Sequence, residues 1–118
     1  MSWINSADLR ELERFLDISS MRQSLVSTNL ANVDTPGYHT RDVDFRGELQ
    51  RAMNTETPDG MSPFVRQVTG LLARPDGNNV SVERESLLLA QVQLQFKTAT
   101  AILRAQFAQI HTAIKEGQ

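Results

Sequence analysis

Asp42 and Asp44 stand two residues apart, a D-x-D spacing that on an extended segment turns both carboxylates to one face and could start a divalent-cation site. No third oxygen ligand accompanies them, so the expected state is a pair of solvated or ion-paired carboxylates, with Arg41 or Arg46 as the nearest cations. The two histidines, His39 and His111, lie too far apart in the sequence to suggest a shared metal or acid–base site. No serine sits in a G-x-S-x-G elbow and no glycine-rich phosphate loop occurs. The chain has no cysteine, which removes thiolate nucleophiles, CxxC redox pairs, thiolate zinc sites and disulfides. An enzyme would need converging ionisable groups that this pattern does not supply. A non-enzymatic protein is expected, with no catalytic, metal or cofactor-binding residue and no cofactor.

The 118 residues allow one compact domain. Twelve Lys+Arg against 14 Asp+Glu leave a formal net charge of −2, and no basic cluster appears, so a nucleic-acid partner is not expected. Met1–Asp8 lacks a basic region followed by an apolar run, so no cleaved secretory signal is expected. The most apolar stretch, Leu87–Ile114, is interrupted by glutamines, Lys97, Arg104 and His111, which argues against a membrane span.

Three zones would position whatever the chain does. The first, from about Asp8 to Val33, reads as a helix with a seven-residue seam on Leu9, Leu12, Leu16, Val26, Leu30 and Val33. Ser19 and Gln23 fill the other seam positions, either setting register as buried polar residues or leaving an exposed gap. Phe15, Met21 and Leu25 read as ordinary core, Asp8, Glu11 and Glu13 suit the positive end of the helix dipole, and Ser6 or Asp8 is the candidate cap. Pro36 ends the helix near Asp34, and Thr35-Pro36-Gly37-Tyr38 reads as a type II turn with glycine at the position needing positive φ.

The middle zone is mixed. A short extended strand is expected within Tyr38–Phe45, a few helical turns over Phe45–Met53, a mobile loop over Thr55–Pro63, a second short strand within Phe64–Arg74 and a turn at Pro75-Asp76-Gly77. Ser81 then opens a long helix with Glu83 and Glu85 in its first turn, running to Lys115 and stopping at Gly117. Its heptad seam falls on Leu89, Val92, Phe96, Ala99, Leu103, Gln106, Ile110 and Ala113. Apolar residues also occupy the rest of the cylinder, including Leu87, Leu88, Leu94, Ile102, Phe107 and Ile114, and between Ser86 and Ile114 only Lys97 and Arg104 are fully charged. An exposed helix would carry a charged stripe, and this one does not. The first-zone helix is the sole intramolecular partner long enough to cover it and can cover only one side, so other chains are expected to cover the remainder.

The fold class expected is mainly α: long N- and C-terminal helices in an antiparallel coiled-coil-like pair, with a short irregular or small-β centre. Residues 1–35 with 80–118 would form a helical axial domain, and 36–79 the turn, extended segment and flexible loop. Repeated heterologous contacts between such chains build open filaments.

Ser27-Thr28-Asn29-Leu30-Ala31-Asn32-Val33-Asp34-Thr35-Pro36-Gly37-Tyr38 resembles the N-terminal signature of the flagellar axial proteins, S-x-N-x-A-N-x-x-T-P-G-Y, shared by rod and hook subunits. Thr40–Phe45 resembles the stretch that follows this turn in the proximal-rod branch, and Asp76–Glu85 and Gln93–Gly117 are similar to the family's C-terminal region. Ser81 stands where an acidic residue is more usual, and His39 where a basic one is commoner. The resemblance implies a structural rod subunit exported by the flagellar type III apparatus and located in the basal-body rod of the periplasmic space. Implied partners are copies of itself, the next rod protein of FlgC type, the rod adaptor and the MS-ring proteins. Its site residues would be Asn29, Ala31, Asn32, Thr35, Pro36, Gly37 and Tyr38 in the motif, and Leu89, Val92, Phe96, Ala99, Leu103, Phe107 and Ile110 on the assembly helix. Asn29 and Asn32 could satisfy backbone groups at the helix end or contact adjacent subunits, and Tyr38 could anchor the turn or pack on a neighbour. Another axial protein of FlgC type and a non-flagellar helical adaptor are the alternative readings.

Overall fold

A computed structural model describes residues 6–54 and 62–117. Two long helices dominate it: α1, Ser6–Ala31, and α3, Val82–Glu116. Between them lie strand β1 (Arg41–Val43), helix α2 (Phe45–Met53) and strand β2 (Val65–Gln67). The molecule measures 68 × 30 × 18 Å, set by α3, whose 35 residues span about 52 Å at 1.5 Å per residue. The expected mainly helical fold with a small β centre is what forms. Most of the expected loop over Thr55–Pro63 lies outside the described residues.

α1 and α3 run antiparallel. Asn29 near the end of α1 meets Glu85 near the start of α3, while Leu12 and Phe15 lie across from Leu94 and Ile102. Val92 and Ala99 are buried on the α3 seam, and Leu89, Leu103, Gln106, Ile110 and Ala113 are half-buried along it. On α1 the buried residues are Ile18, Ser19, Val26 and Asn29, so the covered stripe runs beside the expected seam as well as on it. Ser19 is fully buried, and the polar position in the seam is therefore no exposed gap. Asp8 lies in the first turn of α1, where a negative charge suits the helix dipole.

α3 starts as expected. The Ser81 hydroxyl accepts a hydrogen bond from the Arg84 N–H at 3.2 Å, satisfying one of the helix's otherwise unpaired donors. Asp44 does the same for α2, accepting from the Gly47 N–H.

The strands pair antiparallel with Arg41 opposite Gln67, Asp42 opposite Arg66 and Val43 opposite Val65. α2 packs on α1 through an edge-to-face contact of Phe15 with Phe45, centroids 5.0 Å apart. The nearly buried Glu48 accepts from Arg51 and from the Phe64 N–H, and Arg51 covers the Phe64 ring, which ties the approach to β2 onto α2.

Candidate functional site

The motif turn forms as the sequence predicts. The Tyr38 N–H donates to the Thr35 carbonyl at 3.2 Å, and Gly37 takes φ +74°, a left-handed conformation that a side chain would disfavour. A second turn lies against it: the Gly77 N–H donates to the Arg74 carbonyl, Gly77 takes φ +87°, and a Cβ there would sit 3.4 Å from the Gly37 Cα. The Gly37 N–H donates to the Asp76 carbonyl, and the Asn79 N–H to the Tyr38 carbonyl. Two segments about forty residues apart in sequence are thereby joined backbone to backbone. Asn78 strengthens the join, its fully buried amide donating to the carbonyls of Asn32 and Thr35 at 2.8 Å each.

Asn29 is the centre of this junction. Its amide nitrogen donates to the Arg41 carbonyl at 2.8 Å and to Glu85 Oε2 at 3.0 Å, and its oxygen accepts from the Tyr38 hydroxyl at 2.8 Å and the Arg41 N–H at 3.1 Å. That fills the hydrogen-bonding capacity of a carboxamide and joins α1, the motif turn, β1 and α3 through one side chain. Burial pushes the Tyr38 phenol above its ordinary pKa; the Arg41 charge opposes this and Glu85 adds to it, so the hydroxyl stays a donor. Asn32 has the local role, donating to the Thr28 carbonyl and accepting from the Thr35 hydroxyl.

Beside Asn29 runs a charged chain. Asp42 accepts from Arg22 Nε and Nη2 at 3.1 Å each, from Arg84 Nη2 at 2.9 Å and from the Val43 N–H at 2.8 Å. Arg84 also donates to Glu85 at 2.6 Å, and Glu85 is wholly buried. Two guanidiniums thus balance two carboxylates, and each oxygen of both carboxylates accepts at least one hydrogen bond. Burial would raise the Asp42 pKa, but hydrogen bonds from Arg22 and the Val43 N–H, with the charge of Arg22 and a bond from Arg84, outweigh it and hold the carboxyl below its ordinary value.

The expected cations for Asp42, Arg41 and Arg46, are replaced by Arg22 and Arg84, because β1 turns Asp42 inward between the two helices. Asp44 does not share its face: the strand ends at Val43, and Asp44 is exposed at the start of α2. Among the described residues no group of three or more His, Cys, Asp or Glu could hold a metal ion. The hydrogen bonds on both carboxylates hold α1, β1 and α3 together.

Away from the junction, α3 leaves apolar side chains exposed on more than one side, Leu94 and Ile102 beside the α1 groove among them. Leu87, Leu94, Ile102, Phe107 and Ile114 are 73%, 67%, 46%, 55% and 60% exposed. Of the residues expected on the assembly helix, Phe96 and Phe107 are exposed, Leu89, Leu103 and Ile110 are half-buried, and Val92 and Ala99 are covered by the chain itself. Val92 and Ala99 are the buried members of the heptad seam, Phe96 on the same seam stays exposed, and Leu87, Leu94, Ile102, Phe107 and Ile114 lie off it. Their signal in the sequence was the missing charged stripe. In the motif, Ala31, Thr35, Pro36 and Gly37 are exposed, Asn32 and Tyr38 half-buried, and Asn29 buried. Among the described residues no helix is long and apolar enough to cross a membrane.

No protein-family profile matches the chain. Individual relatives do. It is 31% identical to the flagellar basal body rod protein FlgB of Borrelia hermsii, over 86% of this chain and 91% of the relative. Against FlgB of Salmonella typhimurium the identity is 29%, over 94% of this chain and 95% of the relative, and against FlgB of Yersinia ruckeri it is 28%, over 92% and 94%. With nearly full length matched on both sides, and with the motif turn formed by the residues that carry the axial-protein resemblance, the chain belongs to the flagellar basal body rod protein FlgB family.

Proposed function

We propose that this chain is a structural, non-enzymatic subunit of the flagellar basal-body rod whose copies pack through the exposed apolar side chains of α3. The observation that carries the reading is the apolar exposure on α3, where Leu87, Leu94 and Phe107 are each more than half exposed. Burying a leucine or phenylalanine of this kind is worth about 1.5–3 kcal/mol, so a few such contacts per neighbour suffice to hold copies together. The assembling unit is the helical part, 1–35 with 80–118, and 36–79 supplies the turn, the extended segment and the central loop. Its partners are other copies, a rod protein of FlgC type, the rod adaptor and the MS ring.

Export precedes assembly in this reading. The chain leaves through the flagellar type III apparatus without a cleaved signal peptide and reaches the rod in the periplasmic space. Without cysteines to oxidise, and with a long helix whose apolar surface is completed by neighbours, it orders fully when copies meet. Replacing Phe107 with Glu in the parent bacterium tests the proposal. Lost swimming with the variant still exported is expected, and swimming at the parental rate would refute it.

A further inference from the structure

Leu72 is the most exposed large apolar side chain among the described residues, at 94%. It stands in the bend after β2, where Gly70 takes φ +82°. Both ends of the bend are fastened: the Val68 N–H donates to the Thr40 carbonyl at 2.9 Å, the Arg74 N–H donates to the Asn78 carbonyl at 2.8 Å, and the Arg74 guanidinium donates to the carbonyls of Val33 and Val80. A leucine is thus presented to water by an anchored loop.

A groove of about 520 Å³ lies between α1 and α3, lined by Leu12 and Phe15 on one helix and Leu94 and Ile102 on the other, with Asp8 and Glu11 also at its wall. The Leu72 loop is tied to Val33, just past the end of α1 at Ala31, and Phe15 lies 16 residues before that end, so knob and groove are separated by about 24 Å of helix axis. No molecule can fill its own groove with its own Leu72.

Charge indicates the occupant. The groove carries two acidic residues, whereas the loop carries Arg74, whose guanidinium is bonded to carbonyl oxygens rather than to a carboxylate. We propose that the 70–74 loop of one copy seats Leu72 in the α1–α3 groove of a second copy. This deepens the self-association proposed above and rests on it. Since knob and groove are different surfaces displaced along the long axis, the contact is heterologous, and its repetition extends a row of subunits instead of closing a dimer.

The cysteine-free chain makes the test direct, since only introduced thiols can react. Leu72→Cys protein and Thr98→Cys protein, the second placing its thiol in the groove wall, are mixed at equal concentration, followed by light scattering and mildly oxidised. Each chain carries one thiol, so a disulfide can form only between chains, and it requires the two Cα atoms within about 7 Å. The proposal expects the mixed 72–98 product to exceed both like-with-like products severalfold, and Glu11→Lys in the groove chain to lower its yield. Association without an excess of the mixed product, or a yield indifferent to Glu11→Lys, overturns the knob-and-groove contact while leaving self-association standing. No association at all overturns both.

Discussion

The Asn29 carboxamide donates to the Glu85 carboxylate at 3.0 Å across 56 residues of sequence, both side chains being buried where α1 ends and α3 begins. An apolar seam tolerates sliding by a turn, but a donor that must meet one acceptor does not. The polar junction therefore fixes the register of the helix pair, and through it which residues of α3 face outward.

Asn29→Ala removes four hydrogen bonds and leaves the Arg41 backbone and the Tyr38 hydroxyl short of partners, with an expected loss of about 3 kcal/mol. Tyr38→Phe should cost only about 1 kcal/mol, because the Asn29 oxygen keeps the Arg41 N–H. Urea unfolding followed by circular dichroism compares the two. Equal losses would contradict the central place given to Asn29.

Asp42 sets an acid limit. Its carboxyl titrates below the ordinary value of 3.8, so the stabilisation is fully present above that value and disappears as pH falls through the lower, folded-state pKa. Stability should be flat near neutrality and drop below about pH 4. Asp42→Asn should be weaker at pH 7 by about 2 kcal/mol, a figure that allows for partial exposure of both arginines, and its acid limb should be shallower. A variant with an unchanged acid limb would assign the acid sensitivity elsewhere.

Gly37→Ala forces a side chain into left-handed backbone with open space around it, at about 1–2 kcal/mol. Gly77→Ala meets the same backbone strain and adds a Cβ 3.4 Å from the Gly37 Cα. That distance is an ordinary van der Waals contact, so thermal melts should fall by similar amounts in the two variants, and an unchanged melt for either would show that its glycine is not held in left-handed backbone.

Ser81→Ala deletes the α3 cap and should cost about 1 kcal/mol, while Ser81→Asp should retain most of the stability because a carboxylate also accepts from the Arg84 N–H. Chemical denaturation of the two variants reads this directly.

Local physics made much of this fold legible. Pro36 and Gly37 fixed the turn, Ser81 the start of α3, and the apolar periodicity both long helices. The charged chain was not legible, since Asp42 takes partners 20 and 42 residues away and nothing in a period or a cap states which arginine an inward carboxylate will meet. Glu85 read as a first-turn acid suited to the helix dipole, but the crossing of α1 over that turn buries it. A partial signal existed: Arg22, Val26 and Asn29 follow one another on one face of α1, an unusual place for an arginine and an asparagine unless that face meets polar partners. Of the residues named for the assembly helix, Val92 and Ala99 are buried within this chain and Phe96 and Phe107 stay exposed, a division that periodicity alone does not state.

Light scattering of the purified chain across a concentration series, beside a Leu94→Glu/Phe107→Glu variant of equal helicity, tests the exposed apolar surface of α3 most directly. The intact chain should grow in mass with concentration while the variant stays monomeric. A monodisperse monomer at every concentration, or equal growth of the two proteins, would contradict the role given to that surface.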